Sequence, residues 1–96
     1  MNITKELTGT ALTVALSGRL DTLTAPQLEQ ELKDCYGQIT QLTLDFQELA
    51  YISSAGLRVL LGAHKAMKGS LVVKNVNDIV KEVFEVTGFS DILTIE

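Results

Sequence analysis

Apolar residues recur along the chain with two different periods, and the switches between them mark out strands and helices. Ile3, Lys5 and Leu7 suggest a short opening strand, and Thr8-Gly9-Thr10 reads as a turn. Leu12, Val14 and Leu16 then alternate with Ala11, Thr13 and Ala15, so Ala11–Leu16 is a strand, and Ser17 to Asp21 leads out of it. At Thr24-Ala25-Pro26-Gln27 the pattern becomes helical. Thr24 can cap, Gln27 stands where a capping box needs it, and Pro26 lies in a first turn that tolerates its missing N–H. Leu28, Leu32, Cys35 and Tyr36 continue one helical face, and Gly37 is expected to stop it. Leu42–Phe46 alternates as a strand, and Tyr51-Ile52 extend toward Ser53-Ser54, where a second helix begins. Leu57, Leu60, Leu61 and His64 share its apolar face, widened by Val59, Ala63 and Met67, and Gly69 ends it. Leu71-Val72-Val73 is an apolar run of the kind found in strands buried on both faces. Asn77 caps a third helix whose buried stripe is predicted to be Ile79, Val80, Val83 and Phe84. Gly88 closes that helix, Phe89 packs back, and Ile92–Ile95 reads as a last strand.

The order is therefore β-β-α-β-α-β-α-β, which predicts an α/β fold with a mostly parallel sheet and an antiparallel edge strand. Strand order across the sheet does not follow from the pattern. With 96 residues and no linker, repeat or low-complexity stretch, residues 1–96 are expected to form one domain. Hydrophobic residues make up 46% and charged residues 21%, a globular balance. No apolar run reaches the roughly 18 residues of a membrane span, and the first residues lack a signal-peptide layout. A cytoplasmic location is expected. The net charge of −4, with eight Lys and Arg spread along the chain, disfavours nucleic acid as a partner. One cysteine and one histidine rule out an internal disulfide and a cysteine metal cluster, and no cofactor is expected.

The informative stretch runs from Asp45 to Leu61. It passes from a strand through a loop into a helix that opens Ser53-Ser54-Ala55-Gly56. A helix N-terminus carries unsatisfied N–H groups and partial positive charge, and it favours phosphate and carboxylate. Ala55 and Gly56 keep the backbone there uncrowded, which suits close approach by a partner. The plainest role for Ser53 or Ser54 is an N-cap worth about 1 kcal/mol, and capping does not exclude phosphorylation.

Three landmarks in order carry a resemblance that spans essentially the whole chain. They are Ser17-Gly18-Arg19-Leu20-Asp21 with Thr24-Ala25, then Leu44-Asp45-Phe46 through Ile52, then Ser53-Ser54-Ala55-Gly56-Leu57. Together they resemble the STAS family, in particular the bacterial anti-sigma-factor antagonists. The resemblance implies a non-enzymatic switch. The unmodified protein binds an anti-sigma factor that is also a serine kinase and so frees a sigma factor. Phosphorylation turns binding off, and a serine phosphatase restores it. By position the implied phosphoacceptor is Ser54. Ser53 replaces the family's usual aspartate and is an alternate acceptor, while Ala55 stands at the following serine/threonine position. Asp21, Ser53, Ser54, Ala55, Gly56 and Arg58 are the implied partner-binding residues. Other relatives serve phospholipid-transport or stressosome-like complexes as interaction subunits without a serine switch, and that is the alternative role.

The remaining candidates have plainer readings beside functional ones. Arg58, one turn beyond Ser54, can pair with a phosphate or simply be solvated. Arg58, Lys65 and Lys68 lie near one face, which is either the wet side of an amphipathic helix or a docking face for an acidic partner. Asp21 shapes the partner surface or caps its own turn. Asp45 orders the Ser54 loop or stays an exposed strand carboxylate. Ser54 and His64 are ten residues apart on one helix, roughly 15 Å of rise. They cannot form a nucleophile–base pair, and no phosphate loop or dinucleotide glycine pattern is present, so an enzyme is not expected. His64 and Cys35 fall on apolar stripes and read as core or boundary residues.

Overall fold

Each strand of the chain buries the side chains of one face and leaves the other wet, and this fixes how the layers stack. A computed structural model describes residues 1–96. It contains β1 (Asn2–Thr8), β2 (Ala11–Leu20), α1 (Ala25–Lys33), β3 (Gln41–Ile52), α2 (Ser54–Ala66), β4 (Leu71–Lys74), α3 (Asp78–Thr87) and β5 (Thr94–Ile95). The sheet order is β1-β2-β3-β4-β5, with β1 antiparallel to β2 and every later pair parallel. The predicted architecture is therefore the observed one. Neighbours in sequence are neighbours in the sheet, and right-handed crossovers bring all three helices onto the same side.

The register shows that side directly. Leu12, Leu42 and Leu71 form one row across three strands, and Val14, Leu44 and Val73 form the next. All six are buried beneath the helices, along with Leu28 and Leu32 of α1, Leu60 and Ala63 of α2, and Val80 and Phe84 of α3. No polar or charged side chain is buried. The opposite face carries Thr13 beside Thr43, with Val72 and Thr94 continuing the row. Val72 is only half-buried, so β4 is covered on one face and not on both as its apolar run predicts.

Central strand β3 is longer than its alternation indicates, because two bulges interrupt it. Ala15 pairs with Asp45 but Ser17 with Glu48, and Gly18 pairs with Leu49 but Arg19 with Tyr51. Each shift inserts one extra residue into β3, resetting the side-chain phase. Phe46, Leu49 and Ile52, three residues apart, thus all reach the core. Asp45 supports the first bulge, where its carboxylate accepts the Gln47 N–H at 3.0 Å and the Asn75 amide at 2.9 Å. Asp45 thus orders the turn after β4 and not the Ser54 loop. The Asn75 hydrogen bond, with smaller help from the Gln47 N–H and Lys74, outweighs partial desolvation and holds the Asp45 carboxyl below its usual range.

Other differences from the sequence reading have local causes. The Thr24–Gln27 capping box does not form, because the Thr24 hydroxyl turns back to donate to the Arg19 carbonyl at 2.8 Å. Helix α1 ends at Lys33, and Gly37 lies within a 3₁₀ turn, Tyr36–Gln38, instead of stopping the helix. Half-burial pushes the Tyr36 phenol up to about 12, helped by Glu29. Ile79 is exposed, leaving Val80 and Phe84 as the fully buried residues of α3. The last strand shortens to Thr94–Ile95, because Phe89–Asp91 form a 3₁₀ turn after Gly88, whose φ of 81° suits glycine.

Asn77 holds α3 to the centre of the sheet. Its side-chain oxygen accepts the Val80 N–H at 2.8 Å, and its amide donates to the Leu49 carbonyl at 2.8 Å. Asn77→Ala removes both bonds, and a loss of about 2 kcal/mol is expected by urea denaturation. Asn77→Asp keeps the cap but loses the donor, so its loss should fall between wild type and Asn77→Ala.

Candidate functional site

The turns after β2, β3 and β4 gather at one end of the molecule, because those strands are parallel neighbours. The middle turn is the one that begins α2. Ser53 is its N-cap, with extended backbone (φ −101°, ψ 176°) and a side-chain oxygen facing the Gly56 N–H at 3.5 Å. Its own N–H donates to the Leu20 carbonyl at 2.9 Å, which ties the helix start to the end of β2. Ser53 is half-buried, whereas Ser54, the first residue of α2, is exposed. The two serines are thus divided between capping and display. A serine at position 53 supplies the same kind of capping oxygen as an aspartate would, without its charge.

Gly56 is buried, and its reason for being glycine lies inside the molecule. A Cβ there would stand 2.7 Å from Leu20 Cγ and 2.8 Å from Ile52 Cγ1. Its small size lets α2 settle onto the ends of β2 and β3, where the sequence reading assigned it to partner approach. Ala55 is half-buried beside it and Arg58 is exposed. Both line a cleft of about 250 Å³ between the starts of α1 and α2, with Thr22, Ala25, Pro26 and Glu29. Arg58 and Lys65 are exposed on α2, while Lys68 lies past the helix end in a left-handed turn with φ 53°.

Asp21 locks the turn that flanks this cleft. Its carboxylate accepts the N–H groups of Leu23 at 3.0 Å and Thr24 at 3.2 Å, and its own N–H donates to the Thr24 hydroxyl at 2.9 Å. Arg19 reaches the other carboxylate oxygen at 3.8 Å and lies over the Tyr51 ring, 4.4 Å from its centroid. Partial desolvation pulls the Asp21 carboxyl upward, but the bonds from Leu23 and Thr24 and the Arg19 charge outweigh it and hold the group below its usual range. Sequence reasoning did not single out Arg19 and Tyr51. Their pairing depends on the second β3 bulge, which sets them opposite each other.

The site brings together Asp21, Ser53, Ser54, Ala55 and Arg58 at one end of the sheet, with Gly56 beneath them. His64 is half-buried farther along α2 with its Nδ1 unpartnered, and Cys35 is a half-buried free thiol after α1. No group of three potential metal ligands is present, and no helix is long and apolar enough to cross a membrane.

The family model described as "Mlab, STAS domain" matches residues 3–94. The anti-sigma-B factor antagonist of Listeria monocytogenes is 33% identical over 105 aligned positions, covering 100% of this chain and 90% of that protein. An anti-sigma factor antagonist from Mycobacterium paratuberculosis has a solved structure that superposes with a TM-score of 0.88 at 21% identity, covering 98% of this chain and 83% of that one. The Bacillus cell fate determinant SpoIIAA in its phosphorylated form superposes at 0.77 with 19% identity, covering 99% and 91%.

Two outcomes test this geometry. Gly56→Ala drives a methyl into Leu20 and Ile52, which are themselves fully buried, and should cost about 1–3 kcal/mol by urea denaturation. Asp21 and Asp45 have depressed folded-state values, so their stabilisation is complete above the unfolded value of about 4 and is lost as pH falls through the folded ones. The urea midpoint of wild type should therefore drop below about pH 4. The drop should be shallower in a double variant carrying Asp21→Asn and Asp45→Asn.

Proposed function

The chain belongs to the STAS domain family, and from that premise we propose that it is an anti-sigma-factor antagonist switched at Ser54. In its unmodified state it binds an anti-sigma factor that is also a serine kinase, and this frees the sigma factor. Transfer of phosphate to Ser54 ends that binding, and a serine phosphatase resets the protein. The role is one of binding, and the chain supplies no catalysis.

The observation that carries this reading is the division between the two serines. Ser54 is displayed at the first position of α2, while Ser53 is half-buried with its oxygen at the cap. A kinase needs a hydroxyl it can reach, and only Ser54 is free of a structural duty. Asp21, Ala55 and Arg58 complete the contact surface. Arg58 lies one turn along α2, within the reach expected of a side chain that answers a new phosphate.

Phosphoserine adds roughly −1.5 to −2 charges. At a helix N-terminus that charge is favoured by the macrodipole, by about 0.3–1 kcal/mol at an exposed site. The domain therefore keeps its fold, and the cost falls on the interface. A hundredfold loss of affinity needs only about 2.7 kcal/mol, within what one desolvated or like-charge contact costs.

The test is incubation with ATP and each serine-kinase anti-sigma factor of the same organism, with phosphate mapped by mass spectrometry. Phosphate is expected on Ser54 in wild type and in Ser53→Ala, and absent in Ser54→Ala. Ser54→Asp should bind about a hundredfold more weakly with a Tm within about 4 °C of wild type. Phosphate on Ser53, or equal binding by Ser54→Asp, would displace the switch from Ser54. Absence of both binding and phosphate would favour a scaffold role without a serine switch.

A further inference from the structure

We infer that Leu23 and Ile79 are paired apolar anchors, one on each side of Ser54, by which the serine-kinase anti-sigma factor selects this chain. The inference rests on Ser54 being the centre of the partner surface.

Isolated exposed aliphatic residues are ordinary on protein surfaces, but these two are held out by rigid turns. Leu23 is 89% exposed, yet its N–H is fixed to the Asp21 carboxylate at 3.0 Å, inside the turn that Thr24 also braces. Ile79 is 60% exposed, and it sits in the first turn of α3 between the Asn77 cap and buried Val80. Asn77 is in turn bonded to the Leu49 carbonyl of β3. Turns that are already locked lose little further backbone freedom when a partner covers them, which favours the anchors they display.

Their placement follows from the topology. The turns after β2, β3 and β4 lie side by side in that order, so Leu23 and Ile79 flank the turn that carries Ser54. The orientation of α3 gives the second constraint. Lys81 and Glu85 line a hollow beside β5, while Val80 and Phe84 point into the core. Position 79 lies about 100° around the helix from Val80, on the side opposite Lys81. Ile79 therefore faces α2.

The surroundings of the anchors specify the occupant. Asp78 and Glu82 border Ile79, while Glu29 and Arg58 share the cleft beside Thr22 and Ala25. Two copies of this chain meeting through their Ile79 patches would set the Asp78 and Glu82 carboxylates against each other. A partner with two apolar recesses, the one over Ile79 rimmed by Lys or Arg, fits instead, on a surface continuous with Ser54.

Calorimetric titration with the organism's serine-kinase anti-sigma factors tests this, using Leu23→Asp, Ile79→Asp and a control, Leu7→Asp. Leu7 is 57% exposed on edge strand β1. Aspartate in the first turn of α3 also suits the helix dipole, so folding should be spared. Each anchor variant should bind about tenfold more weakly or worse, the control within about twofold, and all three should melt like wild type. Anchor variants that bind like wild type while wild type binds tightly would overturn the anchors alone. So would a control that weakens as much as they do, or a wild-type dimer that Leu23→Asp dissolves. Wild type that binds none of these kinases would overturn the anchors and the switch together.

Discussion

The start of α2 lies directly on the ends of β2 and β3 because position 56 has no Cβ. Leu20 and Ile52 occupy the space that a methyl would need. From that close approach the other features of the site follow. The Ser53 N–H can reach the Leu20 carbonyl, the Ser53 oxygen can turn over the exposed helix end, and Ser54 is carried outward. A helix raised by about 1 Å would stretch the first of these bonds, now 2.9 Å, beyond hydrogen-bond range and leave the displayed serine on a loose end. The motif residue that looks most suited to a partner, the glycine, is thus the one that serves the interior.

The turns on either side are held by polar side chains acting on backbone. Asp21 ties the turn before α1, and Asn77, with Asn75 and Asp45, ties the turn before α3. None of these side chains is buried, so none needs to overcome the cost of placing charge in the core. Their effect is to make three neighbouring turns rigid at the same end of the sheet. Rigid turns favour binding, because affinity falls by whatever ordering the partner must impose.

Much of this was legible in the sequence. Clean alternation in Leu12–Leu16 and Leu42–Phe46 gave the central strands, and the Asn77 cap and Gly88 stop bounded α3. What escaped was set by tertiary geometry. The alternation of β3 breaks at Gln47 because a bulge resets it, so no period could carry the strand through to Ile52. Thr24 carries the residue type of a cap, but its hydroxyl is engaged by the Arg19 carbonyl and the Asp21 N–H and bonds no helix N–H. Ile79 fits the apolar stripe of α3 by spacing, and its exposure depends on how the helix is rotated over the sheet. The position of Ser54 was readable, but which serine caps and which is displayed required the backbone of Ser53.

That division also bears on what a serine at position 53 does to the switch proposed at Ser54. An aspartate cap would place a fixed negative charge one residue from Ser54, the proposed phosphoacceptor. A phosphate on Ser54 would then meet a like charge at close range, offsetting part of the stabilisation it gains from the helix N-terminus. With Ser53 the cap oxygen remains and the repulsion is gone, so a form phosphorylated at Ser54 would be relieved of an internal penalty. The free energy of the off state is then set more by what phosphate costs at the interface and less by what it costs within the domain. A neutral cap would therefore concentrate the proposed switch at the contact surface, where the flanking turns are already held in place.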